Sequence, residues 1–170
     1  MLSTKWLSAS RALALCAALS ACGAGPETPD AGGARDAECR AGAVEVGGSG
    51  GRFVALPASG GVLDIVVGAQ GGIHVLVGFR LRDLPLELTA TYRLRDPATG
   101  LEVVAPTVRA LRPGLYRADA TGVVRVDDLL VLDNDVPRVA DFSGREFSLE
   151  VEVLTASGVC AHDARLVTLR

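Results

Sequence analysis

The sequence predicts an all-β domain: an antiparallel β-sandwich of about seven to ten short strands. Three observations carry this expectation. From Ala43 onward, apolar runs recur every eight to twelve residues, separated by Gly, Pro and Asp. Several runs alternate with period two and place charge on one face only. Outside the N-terminal segment, no stretch shows helical spacing with caps.

The runs define expected strands at residues 43–46, 52–56, 62–67, 73–82, 86–95, 101–109, 114–118, 122–132, 146–154 and 159–169. In the fourth, Ile73, Val75, Val77, Phe79 and Leu81 point one way, and His74, Leu76, Gly78, Arg80 and Arg82 the other. In the fifth, Leu86, Leu88, Ala90, Tyr92 and Leu94 alternate with Glu87, Thr89, Thr91, Arg93 and Arg95. Cross-strand pairing of Arg93 and Arg95 with Glu87 is expected on the outer face. Phe147, Leu149, Val151 and Val153 alternate with Ser148, Glu150 and Glu152. Asp96-Pro97-Ala98-Thr99-Gly100 reads as a reversal, and Thr155-Ala156-Ser157-Gly158 as the turn of a terminal hairpin.

The first 21 residues have a different character. Lys5 and Arg11 precede an apolar run, Ala12 to Ala21, of about ten residues. At about 1.5 Å per residue a helix of that length spans about 15 Å, half of a bilayer core, which suits the h-region of a signal peptide. The run ends in Leu19-Ser20-Ala21-Cys22, which resembles the lipobox of bacterial lipoprotein precursors. That resemblance implies diacylglycerol transfer to the Cys22 thiol, cleavage before Cys22 and acylation of the new amine, giving a palmitate-type anchor. Cys16 fits less well, because Leu15 precedes it where a small residue is needed. Several acyl chains on one cysteine anchor stably, each buried methylene adding about 0.8 kcal/mol. Gly23 stands where an Asp would retain the lipoprotein at the inner membrane, so the outer membrane of a diderm bacterium is the expected location.

Removal of residues 1–21 leaves 149 residues, in which 15 Arg face 20 acids, a net charge of about −5. No basic field points to nucleic acid. Residues 22–38 are rich in Gly, Ala, Pro and acids without apolar periodicity, and read as a tether from lipidated Cys22 to a domain at residues 39–170. In an oxidising envelope compartment, Cys39 and Cys160 are expected to form a disulfide, with two unpaired buried thiols as the alternative. The bond would close a loop of about 120 residues, for which chain entropy gives an upper value of about 4–5 kcal/mol.

Residues 144–170, GREFSLEVEVLTASGVCAHDARLVTLR, resemble the last hairpin of immunoglobulin-like domains in bacterial surface proteins. The resemblance implies an immunoglobulin-like sandwich and carries no activity. The buried Trp of antibody domains is missing, since Trp6 belongs to the signal segment, so Val, Leu and four Phe must fill the core.

Three groups of residues bear on chemistry. Gly47-Gly48-Ser49-Gly50-Gly51 matches G-x-S-x-G, but without the strand–turn–helix context of a nucleophile elbow it reads as a glycine-rich loop. His74 and His162 both fall in expected strands, with no third zinc ligand at hand. Asp127, Asp128, Asp133, Asn134, Asp135 and Asp141 form the densest acidic stretch. Within it, Asp133-Asn134-Asp135-Val136-Pro137 resembles the calcium-binding linker of cadherins with Asn and Asp exchanged, making Asp133, Asn134 and Asp135 a candidate Ca²⁺ site against the reading as a solvated loop.

The expected function is that of a membrane-anchored envelope lipoprotein with a non-catalytic β-sandwich, structural or binding a protein or glycan partner. A calcium-stabilised adhesion module is the first alternative, and a small envelope hydrolase centred on Ser49 or His74 the second. A contiguous exposed apolar patch on one sheet would favour binding. Six aromatic residues for the whole domain leave little for a glycan-stacking platform.

Overall fold

A computed structural model describes residues 39–133 and 138–170, Ala41 excepted. Among these residues lie eleven strands: β1 (Val44–Ser49), β2 (Phe53–Ala55), β3 (Gly61–Leu63), β4 (Ile65–Val67), β5 (Ile73–Leu81), β6 (Leu88–Arg95), β7 (Thr107–Leu111), β8 (Arg117–Asp119), β9 (Gly122–Asp133), β10 (Glu146–Thr155) and β11 (Cys160–Leu169). A 3₁₀ turn at Pro113–Leu115 and a one-turn helix, α1 (Val139–Phe142), complete them.

The strands form two sheets. The first runs β2-β1-β5-β9-β8, with β4 also on β5; the second runs β3-β11-β10-β6-β7. With β1, β5, β9 and β8 in the places of strands A, B, E and D, and β6, β10 and β11 in those of C, F and G, this is the order of an immunoglobulin-like sandwich. All pairings are antiparallel except β3 with β11, where Gly61, Val62 and Leu63 face Val167, Thr168 and Leu169.

The alternation read from sequence decides the inner faces. Ile73, Val75, Val77 and Phe79 from the first sheet, and Leu94, Tyr92, Phe147, Leu149, Val151 and Val167 from the second, are fully buried in one core. Phe79 lies 6.2 Å from the ring of Tyr92, and Phe142 6.1 Å from that of Phe147. Burying an aliphatic or aromatic side chain of this kind contributes roughly 1.5–3 kcal/mol, which is how a core with so few rings holds.

The strand count exceeds the seven to ten expected, because period two does not show where a strand changes sheet. The run 62–67 divides at Asp64: Ile65 N–H donates to the Arg170 carbonyl and Arg170 N–H to that of Leu63, so the chain crosses from β11 to β5. In the run 101–109 the continuous ladder with β6 begins at Thr107, and Glu102 makes an isolated bridge to Arg95 at the end of β6. The run 114–118 begins in the 3₁₀ turn, where Pro113 sets φ. Phe142, carried by the unanticipated α1, is buried in the core.

On the outer face of the second sheet, Arg95 pairs with Glu150 at 3.0 Å and Arg93 with Glu152 at 3.2 Å, and both also reach Glu102. Glu87, the expected partner, precedes the first residue of β6 and is replaced by acids on the neighbouring strand. Cys39 and Cys160 are joined, with Cα atoms 4.7 Å apart at a sequence separation of 121. Arg40 N–H then donates to the Cys160 carbonyl, so the start of the domain lies against β11.

Replacing Cys39 and Cys160 together by Ser is expected to lower unfolding free energy by about 2–5 kcal/mol, read from urea titrations. Coincident curves for the two proteins would contradict a stabilising role.

Candidate functional site: a sheet face divided by a bulge

β9 changes phase in its middle. Val77 of β5 faces Asp128, but Phe79 faces Arg125, so Val126 and Asp127 together oppose Gly78. This is a β-bulge, one extra residue in one strand. Gly78 permits it: a Cβ there would lie 2.5 Å from the Arg125 carbonyl oxygen. Asp127 takes φ of +60°, a left-handed conformation that Asp tolerates better than most residues.

The G-x-S-x-G segment holds this bulge. The Ser49 hydroxyl donates to Asp127 Oδ1 at 2.8 Å and accepts from Asp127 N–H at 2.7 Å. Gly51 N–H adds a third bond to the same carboxylate at 3.1 Å. That N–H and the Ser49 hydroxyl hold the Asp127 carboxyl below its ordinary range. The flanking glycines have steric reasons. A Cβ on Gly47 would meet the Phe53 ring at 2.3 Å, and one on Gly48 would meet Leu63 at 2.9 Å. Both lone-pair and proton roles of the Ser49 hydroxyl are therefore engaged by Asp127. Neither His74 nor His162 is hydrogen-bonded to Ser49 or to a carboxylate among the described residues. His74 lies half-buried on β5 between Val66 and Val131, and His162 is exposed on β11 opposite Glu152.

The phase change has an inner consequence. Below the bulge Arg125 shares a face with buried Phe79, and above it Asp128 shares one with buried Val77. Arg125 Nε donates to Asp128 Oδ1 at 2.9 Å, and the Tyr92 hydroxyl to Asp128 Oδ2 at 2.6 Å. A buried carboxylate with both oxygens bonded avoids most of the cost of its desolvation. Burial first, and then the Asp128 charge, push the Tyr92 hydroxyl well above its ordinary range. Tyr116 packs on Phe79 at 6.3 Å, and burial raises its hydroxyl to about 12.

Outside, the face splits in two. Below the bulge Arg80 bonds Glu45 at 2.8 Å and Asp119 at 2.9 Å, Arg82 bonds Glu45 at 2.8 Å, and the Arg80 guanidinium lies 4.5 Å over the Phe53 ring. Above the bulge the face is aliphatic. One row runs Val66–His74–Val131 and the next Leu76–Leu129, with Leu129 40% exposed. Val54 and Val62, at the neighbouring edges, are 52% and 48% exposed. A cleft of about 410 Å³ opens beside Leu76, walled by Val54, Leu56, Val62 and Val66, with Arg52 and Asp64 at its rim. It lies where β1 turns away from β5 and β4 takes over the pairing.

The aliphatic face is the part that sequence reasoning missed. Its signals are Gly78 inside a long alternation and Asp127-Asp128 inside an apolar run. Of the expected sites, Cys22 lies outside the described residues, as do Asn134, Asp135 and the side chain of Asp133, whose backbone ends β9. Asp127 and Asp128 are engaged in the bulge, and Asp141 lies in α1. Among the described residues, no cluster of three or more His, Cys, Asp and Glu is placed to hold a metal ion. No protein-family model, curated protein or solved structure matches the chain.

Ser49→Ala is expected to destabilise the domain by about 1 kcal/mol in thermal or urea unfolding, because the bulge loses a donor and an acceptor. Asp119 supplies a pH test. Arg80, and then Thr121 N–H, lower its carboxyl from 3.8 to about 2. The stability it adds is present above the unfolded value and is lost as pH falls from about 4 to about 2. Melting midpoints should decline across that window, and Asp119→Asn should flatten part of the decline. Parallel pH profiles for the two proteins would contradict the assignment.

Proposed function

We propose that the protein is a lipid-anchored envelope lipoprotein whose β-sandwich is a non-catalytic binding module, acting through the aliphatic face above the bulge. The observation that carries the anchoring is Leu19-Ser20-Ala21-Cys22, directly after a basic segment and a ten-residue apolar run. A joined Cys39–Cys160 pair suits an oxidising compartment. Among the described residues no helix is long and apolar enough to cross a membrane. A tether at residues 22–38 would hold the sandwich off the outer membrane.

Support for binding comes from the surface. Both outer faces carry ion pairs, and the upper half of the first sheet sets exposed Leu129 near a cleft walled by Val54, Val62 and Val66. Contiguous exposed aliphatic surface marks interaction sites in soluble domains. Among the described residues the face carries no Phe, Tyr or Trp, so it suits a protein surface better than a sugar. Nothing in its charge suits nucleic acid.

Anchoring is tested by fractionation. The wild-type chain should sediment with membranes and incorporate labelled palmitate, whereas Cys22→Ser should lose both. A Cys22→Ser chain that retains membrane partition after removal of the signal segment would contradict the reading.

A further inference from the structure

We propose that the Cys39–Cys160 disulfide makes β11 a load-bearing strap, so that tension on the anchor passes along one strand and does not open the sandwich. The inference rests on reading Cys22 as the lipid anchor, and adds what happens when the anchored domain is pulled. Any pull on the anchor reaches the domain at Cys39, which is joined to Cys160. Cys160 is the first residue of β11, and Leu169 the last. β1, the first strand after Cys39, belongs to the first sheet, whereas β11 lies in the second, between β3 and β10. The bond therefore moves the entry of tension from the first strand to the last, and from one sheet to the other.

The geometry of β11 suits this load. Its 10 residues, at about 3.3 Å each, span about 33 Å. A chain drawn straight reaches at most about 3.3–3.6 Å per residue, so β11 has almost no slack to give. β10 pairs with it from Cys160 opposite Leu154 to Thr168 opposite Glu146, which resists sliding along nearly the whole strand. Backbone bonds fasten its far end. Gly144 N–H donates to the Leu169 carbonyl, Leu169 N–H to that of Arg145, Arg170 N–H to that of Leu63, and Ile65 N–H to that of Arg170. Tension that leaves at Arg170 thus runs along one extended strand, and residues 40–159 lie off its path. Without the disulfide, the same tension would enter β1 and have to cross between the sheets to reach β11. That crossing is held by apolar packing, which has no preferred direction, by Arg40 N–H donating to the Cys160 carbonyl at 2.9 Å, and by Val46 N–H donating to Asp163 Oδ2 at 2.8 Å.

The test is an optical-tweezers force ramp on the full chain, pulled from handles at its two termini. Cys16 and Cys22 are replaced by Ser, which leaves Cys39 and Cys160 as its cysteines. The oxidised domain should show no extension step longer than about 1 nm up to the force at which the handles yield. Dithiothreitol then reduces the disulfide to two thiols and is itself oxidised to its cyclic disulfide. The same molecule should now lengthen by a further total of about 40 nm, the contour of about 130 residues less the length of one folded strand. Residues 1–38 are common to both states and cancel. Cys39→Ser with Cys160→Ser should lengthen likewise without reductant, its thermal melt showing that it is folded before loading. If that variant does not fold, the reductant experiment still decides, because it begins from the assembled domain. Steps of tens of nanometres in the oxidised chain would overturn the proposal, since tension would then be reaching strands other than β11. A reduced chain that stays as short as the oxidised one over the same ramp would overturn it equally, since the bonds between the sheets would then suffice. Anchoring is read by fractionation, and load by the extension of purified chains in which Cys22 is already replaced, so the two readings fail separately.

Discussion

The bulge at Val126-Asp127 is the constraint on which the first sheet depends. A strand with unbroken period two would keep the odd residues of β9 on the side of Phe79 and turn Asp128, Leu130 and Leu132 outward. The extra residue reverses this. Leu130 and Leu132 enter the core, Asp128 meets Arg125 and Tyr92 inside it, and Leu129 and Val131 come to the outer face. One local irregularity thus produces both the buried polar triad and the exposed aliphatic patch. It is held from outside by Ser49 and Gly51, residues about 76 positions away in sequence.

Sequence and structure agree where a strand stays in one sheet with one phase. β5 and β10 are legible because Ile73 to Leu81 and Phe147 to Val153 alternate without interruption, and the core follows from them. β9 is also legible as a strand, but its face assignments are not. Val124, Val126, Asp128, Leu130 and Leu132 form a clean alternating set in sequence, yet Val124 pairs with outer-face Arg80 while Asp128 pairs with inner-face Val77. Local periodicity contains no count of residues on the opposing strand, so a bulge is invisible to it. The change of sheet at Asp64 is hidden for the same reason, since it is set by Arg170 at the far end of the chain. Charge partners followed register as well: Arg93 and Arg95 found Glu150 and Glu152, which only the β6–β10 pairing brings near.

The G-x-S-x-G segment shows how a motif acquires meaning from its surroundings. Gly47 and Gly48 make room for the Phe53 ring and Leu63, and Ser49 completes the hydrogen bonding of a displaced strand. These are structural demands, and they position the cleft wall at Gly48 beside Leu76. The outer face carries neutralised charge at one end and aliphatic surface at the other. That division suits a domain that keeps its lower half solvated while its upper half meets a partner.

The claim that one bulge couples the outer clamp to the buried triad is tested most directly by a double-mutant cycle. Ser49→Ala and Tyr92→Phe would be measured singly and together by urea unfolding. Ser49 and Tyr92 share no contact, so any coupling must pass through Asp127 and Asp128. The account predicts a coupling energy of at least about 0.5 kcal/mol, beyond the range in which independent sites add. Additive effects of the two substitutions would contradict it.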